Sequence, residues 1–136
     1  MRKIITVILV AMIMISCNSG DDDMTDAMNQ QEQEENAYAA LGSFVSDTHP
    51  TSGECVVNND ISNLSLTNFK TDDGPKLLLY LSTEVDSKDF VNLGDLKGLE
   101  GNFNYSIPAN TDVKKYKYVV VWCVDFSVSF GHAELK

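Results

Sequence analysis

Three cysteines carry most of the chemistry that this sequence could perform. Cys123 follows Trp122 inside residues 118–124, which are apolar at every position. A strand of that composition is typically buried on both faces. A thiol placed there acts either as a small apolar core residue or as a redox or ligand group. Its neighbours favour the inert role, because Val124 is apolar and Asp125 is anionic, so no adjacent cation would stabilise a thiolate.

Cys55 gives Cys123 a further candidate role, as half of a disulfide. An oxidising compartment would permit a disulfide between Cys55 and Cys123. Such a bridge would close a long loop and contribute roughly 4 kcal/mol in the chain-entropy description. The two positions lack the Cys-x-x-Cys spacing of a thioredoxin-like motif or a zinc site. The sequence therefore leaves three states open for Cys123: a free thiol, half of a disulfide, or a ligand to a cofactor.

The remaining candidate ligands are two histidines and a pair of carboxylates. His49 and His132 could each bind a metal or haem iron, or favour a thiolate at Cys123. A lone histidine lacks the cluster of ligands that a metal site normally has, so we expect solvent-exposed turn histidines and no metal site. Asp73 lies in residues 72–75, whose Asp-Asp-Gly-Pro order is a strong turn signal. Calcium, which needs about six to eight oxygen ligands, fits this turn poorly.

The N-terminus has the pattern of a targeting segment. Two basic residues precede an apolar stretch over residues 4–15, and Ser16 then precedes Cys17. A small residue before a cysteine, after an apolar stretch, resembles a bacterial lipoprotein signal, although Met14 replaces the usual leucine. We expect residues 1–16 to be cleaved and Cys17 to be lipidated, rather than an ordinary signal peptide or an uncleaved anchor.

Residues 17–41 are predicted to form a lipidated acidic tether. Up to Ala40 this stretch contains acidic side chains and no lysine or arginine. Uncompensated charge with few apolar residues cannot bury a core, so we expect disorder. Acidic residues just after a lipidated cysteine also resemble surface-display signals of Bacteroidetes lipoproteins. The prediction is an outer-membrane lipoprotein of the bacterial cell envelope, with surface exposure and a periplasmic position both open.

Charge and missing motifs exclude several function classes. The chain has 20 acidic and 10 basic residues, a formal net charge of −10. This acidity opposes binding to nucleic acid and to anionic lipid headgroups. No arginine remains after the predicted leader, so a phosphate clamp is not expected. The sequence has no P-loop, nucleophile elbow, dinucleotide fingerprint or paired zinc motif, and we expect no stand-alone enzymatic activity.

Residues 42–136 are predicted to form a single all-β domain, a β-sandwich or barrel-like fold of about eight short strands. Turn signals separate strands predicted at residues 42–46, 54–58, 64–69, 76–82, 90–92, 103–107, 117–124 and 126–130. Phe126 is expected in the core. Tyr80 and Trp122 fall on the faces opposite the main core, so their strands are expected to be covered twice or to offer a partner surface.

Six segments, in order, resemble the electron-transfer DM13 domain family. They are residues 49–53, 69–75, 77–82, 91–98, 105–108 and the stretch around Trp122 and Cys123. The resemblance extends from about residue 42 to the C-terminus. It implies a small all-β extracytoplasmic domain suspected of redox work through one cysteine, which matches Cys123. Haem is implied by family analogy only. Cys55 departs from the family, which more often has another residue there.

Together these features predict an envelope lipoprotein with a redox or electron-transfer accessory domain. Cys123 would be the redox thiol or ligand, with His49, Trp122 and Asp73 as accessory residues. The membrane, through Cys17, and a redox protein would be the partners. The alternative is a non-catalytic binding or structural module in which Cys123 is only core. Its ligand would be a protein, or a carbohydrate held by the tyrosines Tyr80, Tyr105, Tyr116 and Tyr118.

Overall fold

The computed structural model describes residues 38–136, which form one curved sheet of eight antiparallel strands. The strands are β1 (Tyr38–Ser46), β2 (Thr51–Asn58), β3 (Asn63–Thr71), β4 (Leu77–Ser82), β5 (Phe90–Asp95), β6 (Glu100–Ser106), β7 (Tyr118–Cys123) and β8 (Val128–Glu134). Their order is β5-β4-β7-β8-β1-β2-β3-β6. The edge strands β5 and β6 lie beside each other, so the sheet is a nearly closed barrel. The predicted all-β fold is confirmed.

The eight predicted strands occur in the predicted order, and several of them are longer than predicted. β1 begins at Tyr38, four residues before the predicted start. Ala40 is buried and pairs with Val57, and Leu41 exchanges backbone hydrogen bonds with Lys136. These contacts draw into the sheet residues that the sequence assigned to the tether. The signal peptide, Cys17 and the rest of the tether lie outside the described residues.

The barrel interior is filled by alternating apolar side chains from every strand except the edge strand β5, whose apolar side chains are only partly buried. Phe69, Tyr105 and Phe130 are the largest fully buried side chains. Phe44 packs edge-on against Phe69, with ring centroids 5.2 Å apart. Each fully buried side chain of this size stabilises the fold by about 1.5–3 kcal/mol relative to an exposed one. Within residues 38–136, no helix has the length and apolar character that a membrane span requires.

β4 and β7 are buried on both faces, as their composition predicted. A second apolar cluster lies outside the barrel wall and contains Leu78, Tyr80 and Val120, with Tyr118 and Trp122 packed against it. We call these five residues the outer cluster. Residues of the connection between β4 and β5 line the same shallow depression as Trp122. This connection therefore folds back along the outside of the wall as far as Trp122.

The last strand was predicted two residues too early. β8 begins at Val128, and Phe126, expected in the core, is 61% exposed. Residues 124–127 instead form the turn between β7 and β8, with Ser127 in the left-handed region at a φ of 55°. The apolar alternation of Phe126, Val128 and Phe130 continues across this turn, which explains the error.

Because the strands are antiparallel, each connection lies at one of the two ends of the barrel. Leu77 at the start of β4 pairs with Cys123 at the end of β7, and the Asp47 amide bonds to Phe130 near the start of β8. The connections β1–β2, β3–β4 and β7–β8 therefore share one end, which we call the Cys123 end. β1 starts at the other end, the N-terminal end, together with the connection between β6 and β7.

Candidate functional site at the Cys123 end

Cys123 is enclosed by apolar strand neighbours. It is the last residue of β7 and pairs with Leu77 on one side and Val128 on the other. Its side chain belongs to the interior core and is 0% exposed. The next residue, Val124, already lies in the turn and donates its amide to the Lys76 carbonyl at 3.0 Å. The thiol is therefore sealed from solvent, one residue away from a turn that reaches the surface.

Cys55 lies in the middle of β2 and is chemically silent. It pairs with Gly42 and Leu66, and its thiol donates to the Gly42 carbonyl oxygen at 3.5 Å. Burial raises the pKa of the Cys55 thiol to about 12, and the Gly42 hydrogen bond opposes this shift. Because the thiolate is the reactive form, this thiol is inert at neutral pH.

Both thiols are free in the structure. Cys55 is on β2 and Cys123 is on β7, and in the sheet β8 and β1 lie between those strands. Cys123 is therefore an unbridged thiol in this structure. The bridge that the sequence allows stays a prediction, which a count of free thiols tests.

Trp122 begins a row of aromatic rings on the outer side of the wall. Its ring stacks with that of Tyr80 at a centroid distance of 6.4 Å and an interplanar angle of 24°. Tyr80 in turn stacks on Phe90 at 4.0 Å and 14°. Phe90 is 41% exposed, so the row leads from the residue next to Cys123 to the surface. Burial raises the pKa of the Tyr80 phenol, so the phenol stays protonated at neutral pH.

His49 is held in place at the Cys123 end. Its ring stacks on Phe130 with centroids 3.9 Å apart, and its Nδ1 lies 3.1 Å from Asp72 Oδ2. The ring is partly exposed, as expected for a histidine in a connection between strands. These contacts fasten the β1–β2 connection to β8 and to the β3–β4 connection. His49 therefore shapes this end of the barrel, and its Nδ1 is already engaged by a carboxylate.

His132 has a carboxylate partner that sequence reasoning missed. It lies within β8, and its Nδ1 is 2.8 Å from Asp47 Oδ2. The same Asp47 oxygen accepts a hydrogen bond from the Ser129 hydroxyl at 2.6 Å. These partners are far apart in the chain, so no local signal could have identified them. Among residues 38–136, no group of three or more His, Cys, Asp or Glu side chains is placed to hold a metal ion.

Asp73 forms a turn contact. Its Oδ1 accepts the backbone amide of the next residue, Gly74, at 2.9 Å. A Cβ on Gly74 would lie 2.9 Å from the Phe130 ring, so the glycine permits the close approach of this turn to the core. The contact fixes the entry of the chain into β4, whose first residue pairs with Cys123.

Cys123 gives a haem no open ligand position, because core side chains enclose it. The Nδ1 atoms of His49 and His132 face carboxylates, which leaves Nε2 as the ring nitrogen that could bind iron. A cavity of about 600 Å³ opens at the N-terminal end, and neither a cysteine nor a histidine lines it. A haem with Cys123 as its ligand therefore does not fit the described residues, whereas His132 lines a separate cavity of about 300 Å³ between β1 and β8.

Comparison with known proteins gives a match to a family. A family model described as Electron transfer DM13 matches residues 43–135, which run from within β1 to the penultimate residue of the chain. The matched range includes both buried cysteines, both histidines, Asp73 and Trp122. No curated protein matches the chain. No solved structure matches it either.

Proposed function

We propose that this chain, which belongs to the electron-transfer DM13 family, is an electron-transfer accessory of the bacterial cell envelope with the Cys123 thiol as its redox group. The observation that carries the proposal is the position of Cys123. It lies within the matched residues and ends the strand that is apolar on both faces. A thiol sealed in this way is shielded from diffusing oxidants, so its oxidation would depend on a route through the protein.

The outer row of rings supplies such a route. Trp122 is covalently next to Cys123, and its stack continues through Tyr80 to the exposed Phe90. One-electron oxidation of the thiol would give a thiyl radical, a proton and an electron. The electron would pass to the oxidised centre of a redox protein docked near Phe90, and the proton would leave by the turn at residues 124–127. Return of one electron and one proton restores the thiol.

The N-terminal segment would fix the domain at the membrane. A lipid on Cys17 of an outer-membrane lipoprotein, exposed to the surface or facing the periplasm, would leave residues 18–37 as a spacer. The order of basic, apolar and small residues before Cys17 supports this proposal. In a lipoprotein-processing host, the wild type should partition into the detergent phase and Cys17→Ala should not. Equal partitioning of the two would instead indicate a plain apolar anchor.

The redox role is tested by voltammetry of the full-length protein adsorbed on an electrode. The wild type and the matched control Cys55→Ala should both show a reversible one-electron wave, and Cys123→Ala should lose it. Far-UV circular dichroism checks that all three proteins keep the β fold. A wave that survives in Cys123→Ala, or that is absent from the wild type, contradicts the proposal.

A non-catalytic module is the second candidate, and the burial of Cys123 favours it. A fully buried thiol among apolar side chains is a common core residue. A module of this kind would bind a protein rather than a carbohydrate through the tyrosines considered above. Tyr80 and Tyr105 are buried, and the Tyr105 hydroxyl accepts the Lys97 amide at 2.8 Å, so their ring faces are not available to a sugar. Tyr116 and Tyr118 are partly exposed, but the ammonium groups of Lys115 and Lys117 lie over their rings, 4.7 and 5.2 Å from the centroids.

A further inference from the structure

We propose that the N-terminal end of the barrel binds the anion of a long-chain fatty acid, with its alkyl chain in an apolar cavity and its carboxylate at a lysine rim. This inference goes beyond the electron-transfer role and does not depend on it. The cavity has a volume of about 600 Å³, which is within the usual range of small-molecule sites. It is far from Cys123 along the strands, at the end where β1 begins.

The floor of the cavity is continuous with the interior core. Ala40, Val113 and Leu135 line it and are themselves buried members of that core. Ile61 also lines it and packs against the core from the β2–β3 connection. Methyl and methylene groups therefore form most of the surface that a ligand would meet, and such a surface favours an alkyl chain.

Ile61 adds an independent observation at the same place. Its φ is 52°, in the left-handed region, where a β-branched residue is strained. The connection is closed by the Ile61 amide, which donates to the Asn58 carbonyl at 3.0 Å. Glycine or asparagine would make this turn with less strain. A strained apolar residue kept at the wall of a cavity is the kind of outlier that points to a binding role.

The rim of the cavity is where the lysines of this acidic domain gather. Four of the eight lysines in residues 38–136 lie at positions 114, 115, 117 and 136. Lys117 is paired with Glu134 and Lys115 with Asp89. Lys114 and Lys136 line the cavity and form no salt bridge with other described residues, although Lys117 and, more weakly, the Lys136 ammonium lower the pKa of the Glu134 carboxyl. Two ammonium groups outside salt bridges, at the mouth of an apolar cavity, complement one carboxylate.

The remaining polar groups at the mouth narrow the choice of ligand. Asp112 also lines the cavity, but its Oδ1 accepts the backbone amides of Lys114 and Lys115 at 2.9 and 3.3 Å. Residues 38–136 contain no arginine for a bidentate phosphate contact, and no aromatic ring among them lines the cavity to stack on a sugar or base. The negative charge of the whole domain still opposes a charged lipid surface. A single-chain carboxylate satisfies all of these conditions.

Photolabelling of the full-length chain in its envelope membranes tests the inference. The probe is a palmitic acid analogue with a diazirine on the chain and a terminal alkyne, and adducts are mapped by peptide mass spectrometry. We expect adducts in the segments around residues 111–117 and 135–136. Excess palmitate should compete for labelling, and the methyl ester of the probe should label these segments several-fold less.

Two variants separate the head-group and chain contributions. Lys114→Gln combined with Lys136→Gln should lower labelling roughly tenfold, because two surface charge contacts contribute about threefold each. Lys70→Gln with Lys76→Gln makes the same change in charge at the Cys123 end and should leave labelling unchanged. Ala39→Trp, at an exposed position of the lining, should block the cavity and abolish labelling.

Equal labelling by acid and ester, or labelling that is indifferent to both the rim variants and Ala39→Trp, would overturn the proposal. If the rim variants fail to fold by circular dichroism, the competition between acid and ester on the wild type decides alone. Adducts spread evenly over the chain would also contradict a defined site.

Discussion

Two parts of the barrel wall present opposite outer faces to their surroundings. Behind β4 and β7 lies the outer cluster, with the stacked rings of Tyr80 and Trp122. Behind β3 and β6 lie polar side chains, where the Ser65 hydroxyl donates to Asn104 Oδ1 at 2.7 Å. The inner faces of both parts pack into the same core. Apolar side chains therefore form a second layer outside β4 and β7, whereas polar side chains cover the outside of β3 and β6.

The difference distinguishes the two buried cysteines. Both thiols face the core and both are fully buried. Cys55 sits beside Glu54, which points to solvent, whereas Cys123 sits beside Trp122, which points into the outer cluster. The two thiols are therefore equally buried, but Cys123 is next to a row of stacked rings that reaches the surface. If either thiol exchanges electrons with a partner, the one backed by stacked rings is better placed.

The largest expected effect is a loss of stability when the outer cluster is disrupted. Tyr80→Ala should lower the free energy of unfolding by about 3 kcal/mol, because it removes a buried ring that contacts Phe90 and Trp122. Urea unfolding followed by far-UV circular dichroism measures the loss. A cost under about 1 kcal/mol would show that the outer cluster adds little to the fold.

The second expected effect is a loss of stability at high pH that depends on Cys55. Its ordinary pKa of 9.0 is raised to about 12 in the folded state. The contribution to stability is therefore fully present below pH 9 and is lost as the pH rises from there toward 12, since only the unfolded thiol ionises. Relative to Cys55→Ala, the wild type should lose about 2–3 kcal/mol between pH 9 and 11. Parallel stability curves for the two proteins would contradict the burial of this thiol.

A smaller loss of stability is expected when the Cys123 thiol is removed, and it distinguishes the two cysteines further. Cys123→Ala should cost about 1–2 kcal/mol, the range for a small core deletion. Mass spectrometry of protein alkylated after unfolding without reductant should show both Cys55 and Cys123 modified. If both escape alkylation, they form a disulfide. In that case either single variant should lose nearer 4 kcal/mol.

The smallest effect lies on the polar side of the wall. Ser65→Ala removes a hydrogen bond between partly exposed groups on β3 and β6, and should change the unfolding free energy by no more than about 0.5 kcal/mol. The measurement is the same urea titration as for Tyr80→Ala. A loss as large as that of Tyr80→Ala would mean that the two outer faces contribute alike.

The sequence was most informative where the signal was local. Turn residues and alternation identified all eight strands in order, and the apolar stretches over β4 and β7 correctly indicated strands covered twice. The same reasoning failed at Phe126, because alternation continued through a turn. It also placed the start of β1 too late, because the residues around Ala40 are recruited by pairing with distant strands.

The candidate site was only partly accessible to sequence reasoning. The family resemblance identified the residues of interest, and the family match to residues 43–135 confirms the family. The contacts of those residues depend on long-range pairing. The Asp47–His132 pair joins β8 to the β1–β2 connection, and the lysine-rimmed cavity is assembled from four separate segments. Neither leaves a pattern in neighbouring residues that could have been recognised.

The barrel is not closed between β5 and β6, and this gap affects how the domain resists pairing with other copies of itself. β5 and β6 are each hydrogen-bonded on one side only, so two strand edges with free backbone groups lie next to each other. Exposed edges invite pairing with another chain. Here each edge partly shields the other, and Gly94, at a φ of 108° beside an irregularity in the β4–β5 register, twists one of them out of line. A domain at high local concentration would thereby resist forming sheets that continue from one molecule into the next.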